Sequence, residues 1–401
     1  MRAITLTLCA LAGAASAQTP WELVWSDEFD TLDTSVWQPM IGTGTNYGLP
    51  HGWGNEELQH YTSNAQNVFA QDGHLHIVAH RNGSSYTSAR LRTQGALEVL
   101  YGRIEARIDL PKGQGIWPAF WMLPTDSPFG GWAASGEIDI VESINQADKV
   151  HGTIHFGGNW PQNQSNGGSD SQLSDYSTDF HVYAIEWDPL EIRWYVDGRR
   201  YHRVRNTQWW SSNAQGNPWA PFSTPFHLLL NVAVGGIWPG YPDASTTFPQ
   251  TMRVDWVRIY QRARLPHGGE PAPIPGRIQA EAFDLGGGGV GYLDASAGNT
   301  GGAFRPEEDV DIEATAGGGF NVGWIEPGEW LNYTVDVRRG GQAELRLRVA
   351  SQETGGRLRV RLDGEDLAGV ITVPNTGGWQ NWQVITRQID LGASGGGDGG
   401  G

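Results

Sequence analysis

Cysteine is all but missing from this chain: the single one, Cys9, falls within residues 1–17. No disulfide framework is available to the remainder, so its fold must stand on its core alone. Lysine is nearly as scarce, with Lys112 and Lys149 the only two among 27 basic residues, while 44 acidic residues bring the formal charge to −17. That balance speaks against a nucleic-acid partner and suits a neutral polymer. Long apolar runs are missing too. The one apolar stretch of note, residues 4–14, follows Arg2 and ends in Ala15-Ser16-Ala17. This is the pattern of a cleaved secretory leader over residues 1–17, too short to span a bilayer. The expectation is export to the extracellular space or periplasm, as a monomer with no membrane partner.

Helical periodicity does not extend beyond a few turns anywhere. What the chain has instead is glycine, 56 residues, and tryptophan, 19. Glycine at that frequency marks many turns between short strands, and flat indole rings can stack on the C–H faces of sugars, although many of them must fill a core. Runs of two-residue period carry an all-β reading: residues 75–79, 102–108 and 192–196, the last closing on Asp197-Gly198 as a tight hairpin. Residues 262–276, Arg-Ala-Arg-Leu-Pro-His-Gly-Gly-Glu-Pro-Ala-Pro-Ile-Pro-Gly, read as a semi-rigid spacer that cannot pair in a sheet. The expected organisation is a large β domain over 18–262, a linker over 263–276 and a smaller β domain over 277–401.

The stretch Gly136-Glu-Ile-Asp-Ile-Val-Glu142 is the chemical centre of the large domain. As a strand it puts Glu137 and Asp139 on one face and the isoleucines on the other. Glu142 lies at an odd offset from Glu137 and would turn into the core, unless one extra residue at Ile140-Val141 is absorbed as a β-bulge. Three carboxylates facing one way repel, and the cheapest relief is for one to hold a proton. Glycoside hydrolysis needs that arrangement: an ionised nucleophile and a protonated partner across the bond. Four strand steps separate the outer Cα atoms by roughly 13 Å, whereas a retaining pair stands about 5.5 Å apart, so the two glutamates must lean together on a concave strand. A solvated row of acids or a cation site is the alternative, but the flanks are tryptophan-rich and the spacing is not that of a calcium loop.

Residues 135–142, preceded by Trp132 and by Gly115-Ile-Trp-Pro-Ala-Phe-Trp-Met-Leu-Pro124, resemble the active-site signature of glycoside hydrolase family 16, in the form with the extra residue typical of its endo-β-1,3-glucanases. The resemblance runs from about Leu23 to Gln261. It implies a concanavalin-like β-jelly-roll sandwich and a retaining double displacement with Glu137 as nucleophile, Glu142 as acid/base and Asp139 between them. It also implies sugar contacts from Asn55 and Arg90, an aromatic lining from Trp117, Trp121, Trp132 and Trp238, and His155 beside the acid/base. Trp117 and Trp121, four apart on a strand, share a face. Asp255 falls on the face of Val257 and Ile259, where a carboxylate needs a compensating partner; the resemblance implies a structural calcium ion there, and an arginine pairing is the alternative. No cofactor is expected for catalysis. Within the family, β-1,3-glucan and mixed-linkage β-1,3(4)-glucan both remain open as substrates, and a non-catalytic glucan-recognition protein shares the fold.

The smaller domain carries Arg277-Ile-Gln-Ala-Glu-Ala-Phe283, Gly323-Trp-Ile-Glu-Pro-Gly-Glu-Trp-Leu-Asn-Tyr333 and Thr376-Gly-Gly-Trp-Gln-Asn-Trp382 in that order. It resembles a family 6 carbohydrate-binding module, a small β-sandwich. The resemblance implies Trp324 and Trp379 as a sugar clamp and Glu281 as a hydroxyl ligand or part of a calcium site, with Trp330 and Trp382 in the core. Such modules finish with another strand, whereas residues 391–401 here are mostly glycine and cannot form one, so the module is expected to be incomplete.

Overall fold

The computed structural model describes residues 19–392; the expected leader and the glycine-rich end lie outside them. The described residues contain no α-helix, only 3-10 turns at Thr45–Tyr47, Asn206–Gln208 and Ala280–Ala282. Pro20–Arg262 form one compact unit, and a second begins at Ala263.

In the first unit a seven-stranded sheet runs in the spatial order Asn163–Asp170, Val150–Gly157, Glu137–Glu142, Ile116–Pro124, Phe226–Val234, Arg90–Arg92 and Gln38–Pro39. A ten-stranded sheet backs it, with Gly102–Asp109 and Gln250–Arg262 at its centre. The core lies between the two. Ile138, Phe120, Leu228 and Leu230 come from the first sheet, and Ile104, Ile108, Ile185 and Val257 from the second. Each strand contributes alternate residues, as a two-residue period requires. The hairpin expected at Asp197-Gly198 joins Glu191–Val196 to Arg199–Arg205, with Val196 opposite Arg199. Both turn residues have positive φ, 49° and 76°, as a type I′ turn demands. Phe226–Val234 is buried along its whole length. Its inner face meets the main core, and its outer face is covered at Leu229 by Met40, Trp53 and Tyr61.

Gly152 sets how closely the sheets approach beneath the acids. A Cβ there would stand 2.2 Å from the Trp194 ring and 2.5 Å from the Tyr201 hydroxyl, so only glycine lets Trp194 lie under the strand. From that place the Trp194 indole donates to the Asp139 carbonyl at 2.8 Å.

The second unit is built from two-stranded ladders, the longest between Gln342–Ser351 and Gly378–Asp390. Its small core is Phe283, Tyr292, Val310 and Ile312. Two expectations need correction. Ala272–Ile274, within the stretch read as an unpaired spacer, pairs in parallel with Val335–Val337. The ladder uses the Ala272 N–H and the Ile274 carbonyl, so the missing donor of Pro273 is never called upon. Trp330, expected in the core, is 36% exposed, because it sits on a strand of only two residues, too short to build a covered face; Trp382 is half-buried under the Arg348 guanidinium.

Gly152→Ala should lower the stability of the first unit by about 1–3 kcal/mol, the usual cost of overpacking a closed site. A urea-unfolding midpoint equal to that of the unaltered protein would show that Trp194 can move aside.

Candidate active site

The register of the strand Glu137–Glu142 contains one extra residue against both neighbours. On one side Asp139 faces Thr153 and Glu142 faces His151; on the other, Asp139 faces Trp121 and Val141 faces Phe120. Three residues on this strand therefore oppose two on the next, which is a β-bulge centred on Ile140. Ile138, Ile140 and Val141 all go into the core. Glu137, Asp139 and Glu142 are left together on the outer face.

Each glutamate is held by its own tryptophan. The Trp132 indole donates to Glu137 Oε2 at 2.8 Å, and the Trp117 indole donates to Glu142 Oε1 at 2.9 Å. Burial, and next the negative charge of Asp139, push the Glu137 carboxyl up to about 7. The same two causes push Glu142 well above the usual carboxylate range. Opposing this, His155 places its Nε2 3.3 Å from Asp139 Oδ2 and 3.9 Å from Glu137 Oε1. Burial alone would lower the imidazole, but the contact with Asp139 and the charges of the acids lift it to about 9, so it is a cation at neutral pH. Its nearest carboxylates are thus Asp139 and Glu137, not the acid/base position expected from the sequence. The histidine opposite Glu142 is His151, which burial and then Lys149 lower; it is neutral.

Trp238, 43% exposed, packs edge-on against both Trp117 and His151 and closes the Glu142 side. Trp121 is half-buried, and its indole donates to Asn231 Oδ1 at 2.8 Å. Arg90 is buried between two rings, 4.5 Å from Trp53 and 4.6 Å from Trp121. Asn55 is exposed and donates to Glu57 Oε1 at 3.1 Å.

Glu57, Gln59 and Tyr61 were not singled out in the sequence. They form the polar floor under Arg90: Gln59 and Tyr61 both donate to Glu57 Oε2. Burial raises the Glu57 carboxyl, and the Arg90 charge pulls it back. The signal was there, since three polar residues at i, i+2 and i+4 share a strand face.

Asp255 does not fit a calcium site. The register of Gln250–Arg262 shifts between Val254 and Trp256, so a second bulge turns Asp255 away from the buried Val257 and Ile259. Calcium takes six to eight oxygens, whereas Asp255 Oδ2 accepts from Arg107 and Oδ1 lies 3.7 Å from His74 Nε2. The compensating charge is an arginine. In the second unit Trp324 and Trp379 are 53% and 59% exposed, and Glu281 is buried. Gln380, next to Trp379, reaches Glu313 at 2.7 Å and Asn321 at 3.3 Å.

Residues 55–258, just over half of the chain, match the family model for glycosyl hydrolases family 16. The chain belongs to that family. Residues 303–398 match the family model for the carbohydrate binding module of family 6, so this family 16 glycoside hydrolase carries a second β module similar to that family. Among its relatives, glucan endo-1,3-beta-glucosidase A1 of Niallia circulans is 47% identical over 60% of this chain and 38% of its own length. The beta-glucanase of Rhodothermus marinus is 44% identical over 63% of this chain and 90% of its own. The laminarinase catalytic domain of Thermotoga maritima has a similar structure, with a TM-score of 0.53 at 42% identity over 61% of this chain and 99% of that one.

The arginine pairing of Asp255 makes a prediction that a calcium site does not. Chelator should leave the melting temperature of the catalytic unit unchanged, while Arg107→Ala should lower its stability by about 1–2 kcal/mol through the carboxylate left unpaired.

Proposed function

We propose that the catalytic unit is a secreted, retaining endo-hydrolase of β-1,3-glucan. The observation that carries this reading is the bulge at Ile140, which leaves two glutamates on one face, each gripped by an indole and separated by a third acid. Glu137 attacks the anomeric carbon as Glu142 passes its proton to the departing oxygen, and a glycosyl-enzyme ester forms. Glu142, now ionised, takes a proton from water; the water oxygen displaces Glu137, and the configuration is retained. Asp139 keeps Glu142 protonated by its charge, and the His155 cation stabilises Glu137 in the ionised form that attacks. These are the opposite demands that one site must meet. Asn55, Arg90, Trp121 and Trp238 line the trough for the sugar chain.

Support for the substrate comes from the names of the relatives: two act on β-1,3-glucan or β-glucan. The chain spans 38% of the length of the Niallia circulans protein, so that relative supports the reading through the shared part. Mixed-linkage glucan is the second reading, because a relative named endo-1,3-1,4-beta-glycanase is 33% identical; product analysis on both polymers separates the two. In the second unit, Trp324 and Trp379 are the proposed clamp on the same polymer.

Glu137→Ala should cut turnover on the order of 10⁴-fold or more. Azide should restore part of it by entering from the vacated face, giving an α-glycosyl azide, and a β product would remove Glu137 from the nucleophile's role.

The pH profile of kcat/KM supplies a separate check. Asp139→Asn removes a negative charge that raises both glutamates, so both limbs should move to lower pH. His155→Asn removes a cation that lowers both glutamates, so both limbs should move up. Shifts of the same sign in the two variants would contradict the assignment.

A further inference from the structure

Between Phe156 and Ser169, and again between Asn206 and Phe226, the chain has no aspartate, glutamate, lysine or arginine, although its formal charge is −17. These two uncharged segments meet. The Gly157 N–H donates to the Trp210 carbonyl at 3.0 Å, and the Ser212 N–H to the Gly157 carbonyl at 2.9 Å. The segment that carries Trp132 is tied into the same place. The Trp160 N–H donates to the Trp132 carbonyl at 2.8 Å, and the Ser211 hydroxyl to the Ala134 carbonyl at 2.7 Å. Trp132 is itself bonded to Glu137.

Two indoles stand out of this junction. Trp209 is buried against Phe222 and anchors the loop, and its neighbour Trp210 is turned outward, 47% exposed. Gly157 has a φ of +96°, and a Cβ on it would stand 3.2 Å from the Trp210 ring; glycine lets that ring lie against the end of the strand. Trp160 is 72% exposed, the highest value of any large apolar side chain among the described residues. The ring area that the two indoles leave in water adds nothing to the stability of the fold. Grouped beside a cleft, they mark a binding surface.

We propose that Trp160 and Trp210 form an outer sugar platform that continues the cleft past Trp132 and holds further residues of the glucan chain being cut. This rests on the functional reading above. The chemistry of the surface selects the occupant. Flat rings accept the C–H faces of pyranoses, and the exposed side chains of Asn159, Gln162 and Gln164 offer hydrogen bonds to hydroxyls. The lack of charge gives an anionic polysaccharide or a charged protein nothing to pair with. Continuity with Trp132 makes the ligand the substrate chain and not a separate molecule.

The test compares the full chain with Trp160→Ala, Trp210→Ala and the double variant on a long β-1,3-glucan and on a short aryl β-1,3-glucoside that reaches only the acids. The double variant should raise KM on the polymer by about tenfold, a typical loss for a stacked aromatic anchor. Its kcat on the polymer and its kcat/KM on the short substrate should stay within about twofold. Replacing both by phenylalanine should recover most of the polymer KM. An unmoved polymer KM, or an equal loss on both substrates, overturns the platform while leaving the hydrolase reading intact. No cleavage of any β-glucan by the unaltered chain overturns that reading and the platform with it.

Discussion

One inserted residue, Ile140, decides which way Glu142 points. With a strict two-residue period the strand would send that carboxylate between the sheets, where an unpaired charge costs several kcal/mol and would protonate instead. The extra residue sends Val141 there in its place. An apolar side chain goes where burial stabilises it, by about 1.5–3 kcal/mol for a valine-sized group, and the acid goes where chemistry can use it. Fold stability and site geometry therefore ask for the same bulge. The strand is further pinned from below by the Trp194 indole on the Asp139 carbonyl, a contact that exists only because residue 152 is glycine.

The two glutamates are chemically alike, and their different neighbours come from the register of one adjoining strand. Val150–Gly157 presents His155 opposite Glu137 and His151 opposite Glu142. Asp139 touches His155, so that ring is held as a cation. His151 packs against Trp238 beside Lys149 and is held neutral. A positive neighbour favours the ionised carboxylate, and at Glu142, which the His155 charge reaches without contact, burial and Asp139 outweigh it and favour the protonated one. The proposed division between an acid that attacks and an acid that donates thus rests on a four-residue spacing on the next strand.

Much of this was legible in the sequence, and the reason is the physical sharpness of the two-residue period. The odd offset between Glu137 and Glu142 forced the choice between a buried acid and a bulge, and three acids flanked by tryptophan favoured the bulge. The same rule misled at Asp255. Its spacing from Val257 and Ile259 placed it in the core, but a second bulge after Val254 moves it out, and a single acid gives no sign that a bulge is there. Register shifts are visible in a sequence only when several residues of one kind demand the same face. The alternation of Glu57, Gln59 and Tyr61 shows that they share a face, but not what that face meets. Their partners, Arg90 and Asn231, come from strands distant in the chain, and the ring of Trp53 lies against Arg90 as part of the packing. In the second unit the strands, short or long, bury little, so alternation there says which residues share a face without saying which face is covered.

The choice of tryptophan as the donor to both glutamates follows from what the acids must do. A carboxylate needs a hydrogen bond to hold its position, and arginine or lysine would supply one. Either would also lower the carboxyl's proton affinity by one to three units, and the donor of the proposed mechanism could no longer keep its proton. An indole N–H gives the hydrogen bond without the charge, and its ring becomes a wall of the cleft. Arg90, the guanidinium whose field reaches Glu137, is set back between Trp53 and Trp121, and its pull is weaker than that of Asp139 or His155. The scarcity of lysine and the abundance of tryptophan meet in this requirement: the cleft fixes its acids with dipoles, and the positive charge nearest to them is the histidine beside the proposed nucleophile.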